Sequence, residues 1–570
     1  MRFVLAIISF VLAAVMIGFG IAQRTFLAEP DEMTVATTVS SSAPVTVVDG
    51  TTLNSFSGTQ KLALSGSDTV FAAYGRTSDV LAWIGDASYN TVALDPDTNE
   101  LTNTLVRGTE TTVPNPTGSD LWLAEYTRDD SLTVTASVPS DVSFIVVSDG
   151  TKPAPDDIAI SWPLDNSAPW SGPLIIAGAV ALLLGLGLLL WAIGHMRSSR
   201  GPRRKPQKMP KVPRAPRYKP ARRAIGRGMI AVPVVLVGTL LVAGCSPEAV
   251  STAAVTPSPS ATTGPAAAKT DPPAATVKQV ERIIADISAV AAKADAAKDS
   301  TLLATRFDGA ALELRTASYA ISTADAAIGG LPAIPAGPVK LTLPEQTDSW
   351  PRTVFAVIQD DADDTVPPVA MYLTQAEPRS QYKVSYAMTL EPAQGIPKVA
   401  PADIGAGRLS DDSPLLRMSP TDVALAYADI LELDVDSESY LDFDATNDSL
   451  RTSVGLAKKQ EIRASLPATA SITFGHAIGP AQAIALATND AGAIIAVNLY
   501  ETTTVAPVEA GAAVNPTGAV KALSGLSIST KGVIATYSDQ LLFYVPAAGS
   551  DGKIVLLGYS QGLVKAGEIG

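Results

Sequence analysis

The chain has 570 residues, 17 % of them charged, a net charge of −14 and one cysteine, Cys245. Its length suggests three or four domains. The lone cysteine excludes an internal disulfide or a thiolate metal cluster, and two histidines exclude a multi-histidine metal centre. The charge is uneven: thirteen Lys and Arg with no acid lie in 197–227, leaving the remainder near −27.

Residues 1–23 hold FVLAIISFVLAAVMIGFGIA, about twenty uncharged residues, enough to cross a ~30 Å hydrocarbon core as a helix. This is a transmembrane helix or signal anchor, because no clean small-residue cleavage site follows. Segment 24–172 reads as short strands, TVFAAYGR, VLAWIGD, LWLAEYTR, SLTVTASV and VSFIVVSDG, separated by turns such as DPDTNE and PNPTGSD. Short strands with turns at near-regular spacing predict an antiparallel β-sandwich. A second apolar run, LIIAGAVALLLGLGLLLWAI, makes 173–195 a second transmembrane helix.

The basic stretch 196–228 follows. Lys and Arg are retained in the cytoplasm, so this loop is expected inside, and 24–172 and 246–570 outside. The third run, 229–245, is shorter and contains Pro233. Its length suits the apolar part of a signal peptide. Read from Met209, the segment ending in Val242, Ala243, Gly244 and Cys245 resembles a complete bacterial lipoprotein signal. That resemblance implies a diacylglyceryl group on Cys245 and cleavage before it. Either cleavage yields two products, or translation also starts near Met209. Segment 246–275, rich in Ala, Pro, Ser and Thr, cannot bury a core and is expected to be a disordered spacer.

From residue 276 helix and strand mix. VKQVERIIADISAVAAKADAAKD puts Val277, Val280, Ile283, Ile284, Ile287 and Val290 at helical steps. RTVFAVIQ, VAMYLTQA and YKVSYAMTL read as strands. Later TDVALAYADILEL reads as a helix, and AIALATN, AIIAVNLYE, GVIATYS, QLLFYVPA and KIVLLGYS as strands. FDGAALELRT (307–316) returns as FDATNDSLRT (443–452). Phe307, Asp308, Arg315 and Thr316 thus match Phe443, Asp444, Arg451 and Thr452. The repeat predicts two copies of one α+β unit, 276–412 and 418–570. Helices followed by a curved antiparallel sheet resemble the nuclear-transport-factor-like, or cystatin-like, fold, which hosts many functions. The whole arrangement resembles actinobacterial envelope lipoproteins.

No residue set specifies catalysis. GYSQG (558–562) fits the nucleophile elbow of esterases, but only eight residues follow and none is His. His195 lies at the end of the second apolar run; His476 reads as a loop or strand residue. The acidic stretches DDADD (360–364) and LDVDSESYLDFDATND (433–448) lack calcium-loop spacing. Asp308 and Asp444 are expected to fix a helix start and an Arg–Asp contact rather than to act as bases. No cofactor is expected. Tyr218 alone interrupts the basic loop, so nucleic acid is not an expected partner. The expected partners are the lipid bilayer and envelope proteins. The reading is a membrane-anchored, lipidated envelope protein with a binding, scaffolding or accessory role. The alternatives are an envelope hydrolase or glycosyl-transfer component, or a transmembrane sensor using the basic loop.

Overall fold

The computed structural model describes residues 2–26, 31–164, 170–198, 270–360, 365–392 and 394–570. The basic loop, the third apolar run with Val242, Ala243, Gly244 and Cys245, and most of the expected spacer lie outside the described residues. The chain divides into two compact units, one of residues 1–29 and 166–269, the other of 30–165 and 270–570.

In the first unit, α1 (Arg2–Ala22) packs along α4 (Ser171–Ser198). Two helices here, Phe3–Ala22 and Ser171–Ser198, are long and apolar enough to cross a membrane, with mean hydropathy of 2.8 and 2.6. The buried residues of α4 are Ser171, Gly178, Gly185 and Ala192, one every seven residues. Ala6, Ala13 and Gly20 are buried at the same spacing in α1. Small residues let helix backbones approach where lipid offers no hydrophobic drive to associate. A Cβ on Gly178 would lie 2.6 Å from Ile17 Cγ1. Ser9 Oγ donates to the Ala181 carbonyl at 2.6 Å across the pair.

The second unit begins with β1 (Glu32–Thr38), β2 (Val45–Val48), α2 (Gly50–Leu53), β3 (Gln60–Arg76), α3 (Thr77–Ile84), β4 (Tyr89–Leu94), β5 (Leu101–Val106), β6 (Ala124–Ala136), β7 (Val142–Val147) and β8 (Asp157–Pro163). These eight strands form one sheet in the order β1-β8-β3-β7-β2-β4-β5, with β6 also on β3. One continuous sheet therefore stands in place of the expected two-sheet sandwich. Residues 60–65 of β3 lie between β8 and β6, and 69–76 between β7 and β6. The register shifts between them, near Gly66 at φ +96°, and the long strand bends. Bending brings β1 against β5 and encloses Val48, Leu62, Leu64, Phe144, Ile160 and Trp162. The outer face of β7 is covered by Val80, Trp83 and Trp122, so all six β7 residues are buried.

VLAWIGD, expected as a strand, is mostly helix α3. Asp79 sits in its first turn, and Gly85, at φ +61°, ends it. A short apolar run does not distinguish a buried strand from a buried helix.

Residues 270–570 add α5 (Val277–Ala297), α6 (Ser300–Leu303), α7 (Gly309–Ala324), β9 (Val339–Pro344), β10 (Arg352–Ile358), β11 (Val369–Gln375), β12 (Lys383–Leu390) and β13 (Arg408–Leu409). There follow α8 (Pro420–Leu433), α9 (Ser449–Val454), α10 (Leu456–Ser465), β14 (Ala470–Ile478), β15 (Ile484–Ala487), β16 (Ala493–Pro507), α11 (Gly518–Ser524), β17 (Val533–Val545) and β18 (Val555–Glu568). The strands form one ten-stranded sheet, β13-β15-β16-β17-β18-β12-β11-β10-β9, with β14 on β16. The two sequence copies thus share one continuous sheet, joined where Thr389 and Leu390 of β12 meet Tyr559 and Gly558 of β18, while β13, from the first copy's range, crosses over to pair with β15 at the second half's edge.

Strand alternation sorts the core into layers. In the first half Val354, Ala356, Ile358 and Met371 face α5 and α7, while Phe355, Val357 and Tyr372 face the opposite way. In the second half Ile495, Val497 and Phe543 face α8, while Ile494, Ala496 and Leu542 face the opposite way. The two opposite faces pack on each other, and Tyr372 OH donates to the Ile494 carbonyl at 2.7 Å. The sheet is folded back-to-back between outer helices.

Glycine permits the seam. A Cβ on Gly558 would lie 2.5 Å from the Thr389 carbonyl oxygen, whereas one on Gly567 would meet nothing within 4 Å. Gly558→Ala is expected to lower stability by about 1–3 kcal/mol, with Gly567→Ala near neutral, measured by denaturant unfolding followed by tryptophan fluorescence.

Candidate functional site

The built feature of the second unit is the contact between the 31–164 sheet and the first α+β half. Asp120, 2 % exposed, sits in the loop before β6. Its Oδ2 accepts from Arg306 Nη1 at 2.6 Å and from the Tyr382 backbone N–H at 2.8 Å. Its Oδ1 accepts from Arg306 Nη2 at 3.3 Å. Burial pushes the Asp120 pKa above its ordinary value, and Arg306 offsets this only in part. The loop backbone is also read: Gln279 Nε2 donates to the Leu121 carbonyl at 2.9 Å, and Arg282 Nη2 to the Trp122 carbonyl at 2.6 Å.

A second buried carboxylate lies in α3. Asp79 Oδ2 accepts from Arg76 Nε at 2.9 Å and Oδ1 from Arg352 Nη2 at 2.7 Å. Arg352 is 0 % exposed, and its guanidinium stacks 3.7 Å from the Trp350 ring centre. Arg76 also donates to the Pro273 carbonyl at 2.7 Å and the Ala274 carbonyl at 3.3 Å. The backbone entering α5 is thereby gripped just before its capping box, Thr276 with Gln279. Arg379 caps the end of α3, donating to the Trp83 and Ile84 carbonyls at 2.8 and 2.7 Å, and pairs with Glu110 at 2.9 Å.

The repeated motif occupies matching places in the two halves. Phe307 bridges in parallel to Val384 of β12, and Phe443 to Ile554, just ahead of β18. The Asp308 N–H donates to the Val384 carbonyl at 3.0 Å, and the Asp444 N–H to the Ile554 carbonyl at 2.8 Å. Arg315 pairs with Asp295 near the end of α5 at 2.7 Å; Arg451 pairs with Asp434, which caps α8. The aspartates that meet the arginines are therefore Asp295 and Asp434, not the motif's Asp308 and Asp444. Asp308 stands at the start of α7 without a side-chain cap bond. Asp448, not Asp444, caps α9. Thr316 is half-buried in α7, and Thr452 Oγ1 donates to the Asp448 carbonyl at 3.2 Å.

Ser560 lies inside β18, opposite Gln540, so GYSQG is strand rather than a nucleophile elbow. His476 in β14 has Nδ1 3.3 Å from a Glu432 carboxylate oxygen. Asp442 pairs with Arg417, and Asp444 accepts from the Thr446 N–H, so these acids of the 433–448 stretch have partners. Residues 361–364 lie outside the described residues. Among the described residues no group of three or more His, Cys, Asp or Glu could hold a metal ion.

Sequence reasoning did not reach Asp79, Asp120, Arg306, Arg352 or Arg379. One signal was present. The residue before the repeated Phe is Arg306 in one copy and Asp442 in the other. The copies diverge where the first one docks.

The domain of unknown function DUF8094 matches residues 271–568, and the chain belongs to this family. No curated protein and no solved structure matches the chain. The family region begins at the backbone stretch that Arg76 holds.

Removing one partner of a buried pair leaves an uncompensated charge. Arg306→Ala is expected to cost about 3–5 kcal/mol and to loosen the 31–164 sheet, read as faster proteolysis. Asp120→Ala with Arg306→Ala should recover part of that loss. Burial raises the Asp295 pKa, but hydrogen bonds from Arg315 and Tyr319 outweigh it and hold the group below its ordinary 3.8. A depressed carboxylate stabilises above its unfolded pKa and loses that contribution as pH falls through the folded value. The melting-temperature gap between wild type and Asp295→Asn should therefore close as pH drops below 3.8.

Proposed function

We propose that this is a membrane-anchored, lipidated protein of the bacterial cell envelope that serves as a non-catalytic scaffold or binding module, with 31–164 and 270–570 acting as one exported body. The observation that carries the reading is the buried Asp120–Arg306 pair, which ties a segment ahead of α4 to one well beyond it. Residues joined this way lie on the same side of a membrane. If α1 and α4 each cross, the chain must cross once more between 199 and 269 to bring the two segments together. The run 229–244 is the apolar stretch available there, and the thirteen positive charges of 197–227 favour a cytoplasmic loop before it. A lipoprotein signal cut before Cys245 supplies that crossing and leaves a lipid anchor at the start of the second segment. The two products then remain together through the buried pairs rather than through the peptide chain.

The test is a membrane preparation of doubly tagged protein, wild type against Cys245→Ser. The wild type should yield a C-terminal fragment starting at lipid-modified Cys245 that co-purifies with the N-terminal fragment, while the variant stays whole. An intact, unlipidated wild type overturns the lipoprotein part. Protease accessibility of 31–164 and 270–570 from opposite faces of the membrane overturns the single exported body.

A further inference from the structure

The second α+β half contains a pocket that the docking contact does not use. It has a volume of about 240 Å³ and opens between α9, α10 and the middle stretches of β14, β16, β17 and β18. Its lining includes Lys459, Phe474, Glu501, Thr503, Tyr537 and Gln561.

The floor is a built polar network. Lys459 Nζ donates to Glu501 Oε1 at 2.9 Å and to the Leu431 carbonyl at 3.3 Å. Gln561 Nε2 donates to Glu501 Oε2 at 3.3 Å. Lys459 and Glu501 are each 8 % exposed. Asp539 is two residues beyond Tyr537 on the same strand face and directly opposite Gln561. It is 0 % exposed, and Glu501 and Gln561 are the side chains beside its carboxyl. Burial, and then the neighbouring Glu501 charge, push its pKa up.

These groups define what the pocket can take. Lys459 and Glu501 neutralise each other, and Lys458, the other cation of the lining, is paired with Glu461 at 2.8 Å. An anion would have to draw Lys459 away from Glu501. A cation would have to compete with Lys459 and Gln561 for both Glu501 oxygens. What remains is a balanced set of donors and acceptors beside two aromatic rings. The volume is below the roughly 300–1,000 Å³ of drug-sized sites, which suits one small ring.

We propose that this pocket binds a neutral, polyhydroxylated ligand of monosaccharide size, its hydroxyls meeting Glu501, Gln561 and Lys459 and its C–H face meeting Tyr537. The experiment is saturation-transfer NMR on the full-length protein in nanodiscs. The probes are glucose, N-acetylglucosamine and myo-inositol, with inorganic phosphate and methylammonium as charged controls. At least one hydroxylated probe should receive transfer. Ser453→Trp, which fills the mouth from an exposed position, should abolish it with an unchanged melting temperature. Gln561→Leu, which removes one hydrogen-bonding group, should weaken binding about tenfold. The proposal is overturned if no hydroxylated probe receives transfer, if transfer survives in a folded Ser453→Trp protein, or if a charged control binds in preference.

Discussion

The ion pair between Asp120 and Arg306 is the constraint on which the second unit is arranged. Taking a carboxylate and a guanidinium out of water costs several kcal/mol per ion. That cost is offset only where further hydrogen bonds complete the site. Here the Tyr382 N–H completes Asp120, while Gln279 and Arg282 occupy the neighbouring carbonyls. Such a contact has little tolerance for sliding, because a small displacement would strand a charge. It fixes orientation as much as it adds stability. Asp79 with Arg76 and Arg352 repeats the arrangement at α3, so the sheet is held at two separated points.

The two α+β halves follow a different logic. The first uses its Phe to bridge β12, the second to bridge Ile554 just ahead of β18, and each uses its Arg to anchor the end of its first helix. These contacts are local to each half and occur in both. The contacts that distinguish the halves lie outside the motif. Gln279, Arg282, Arg306, Arg352, Arg379 and Tyr382, which meet the 31–164 sheet, all belong to the first half.

How much was legible in the sequence depended on whether the signal was periodic. The apolar runs, the α5 pattern and most strands were readable because burial imposes a regular spacing. The repeated motif was readable because it occurs twice. The docking pairs were not, since Asp120 and Arg306 are 186 residues apart and each looks like an ordinary surface residue. Asp539 misled in a specific way. It falls between GVIATYS, which ends at Ser538, and QLLFYVPA, read as two strands, yet β17 runs unbroken through it. A polar pair within an apolar run signals either a turn or a buried polar site, and only the tertiary partners distinguish the two. The seven-residue spacing of small residues in α1 and α4 was present but masked by the apolar residues around it.

The folded sheet has one further consequence, which concerns how this molecule can change over evolutionary time. Its two halves share the FD…LRT motif and its contacts but carry unequal obligations. The first is bound on its outside by the 31–164 sheet, so its surface must co-vary with that partner. The second meets the first mainly through the shared back-to-back core, which leaves its helical side free of that pairing. The task of holding the body together is thereby separated from whatever is done in the open half. Sequence drift should be partitioned accordingly, slow along the docked side and faster around α9 and α10 except where the polar floor is kept.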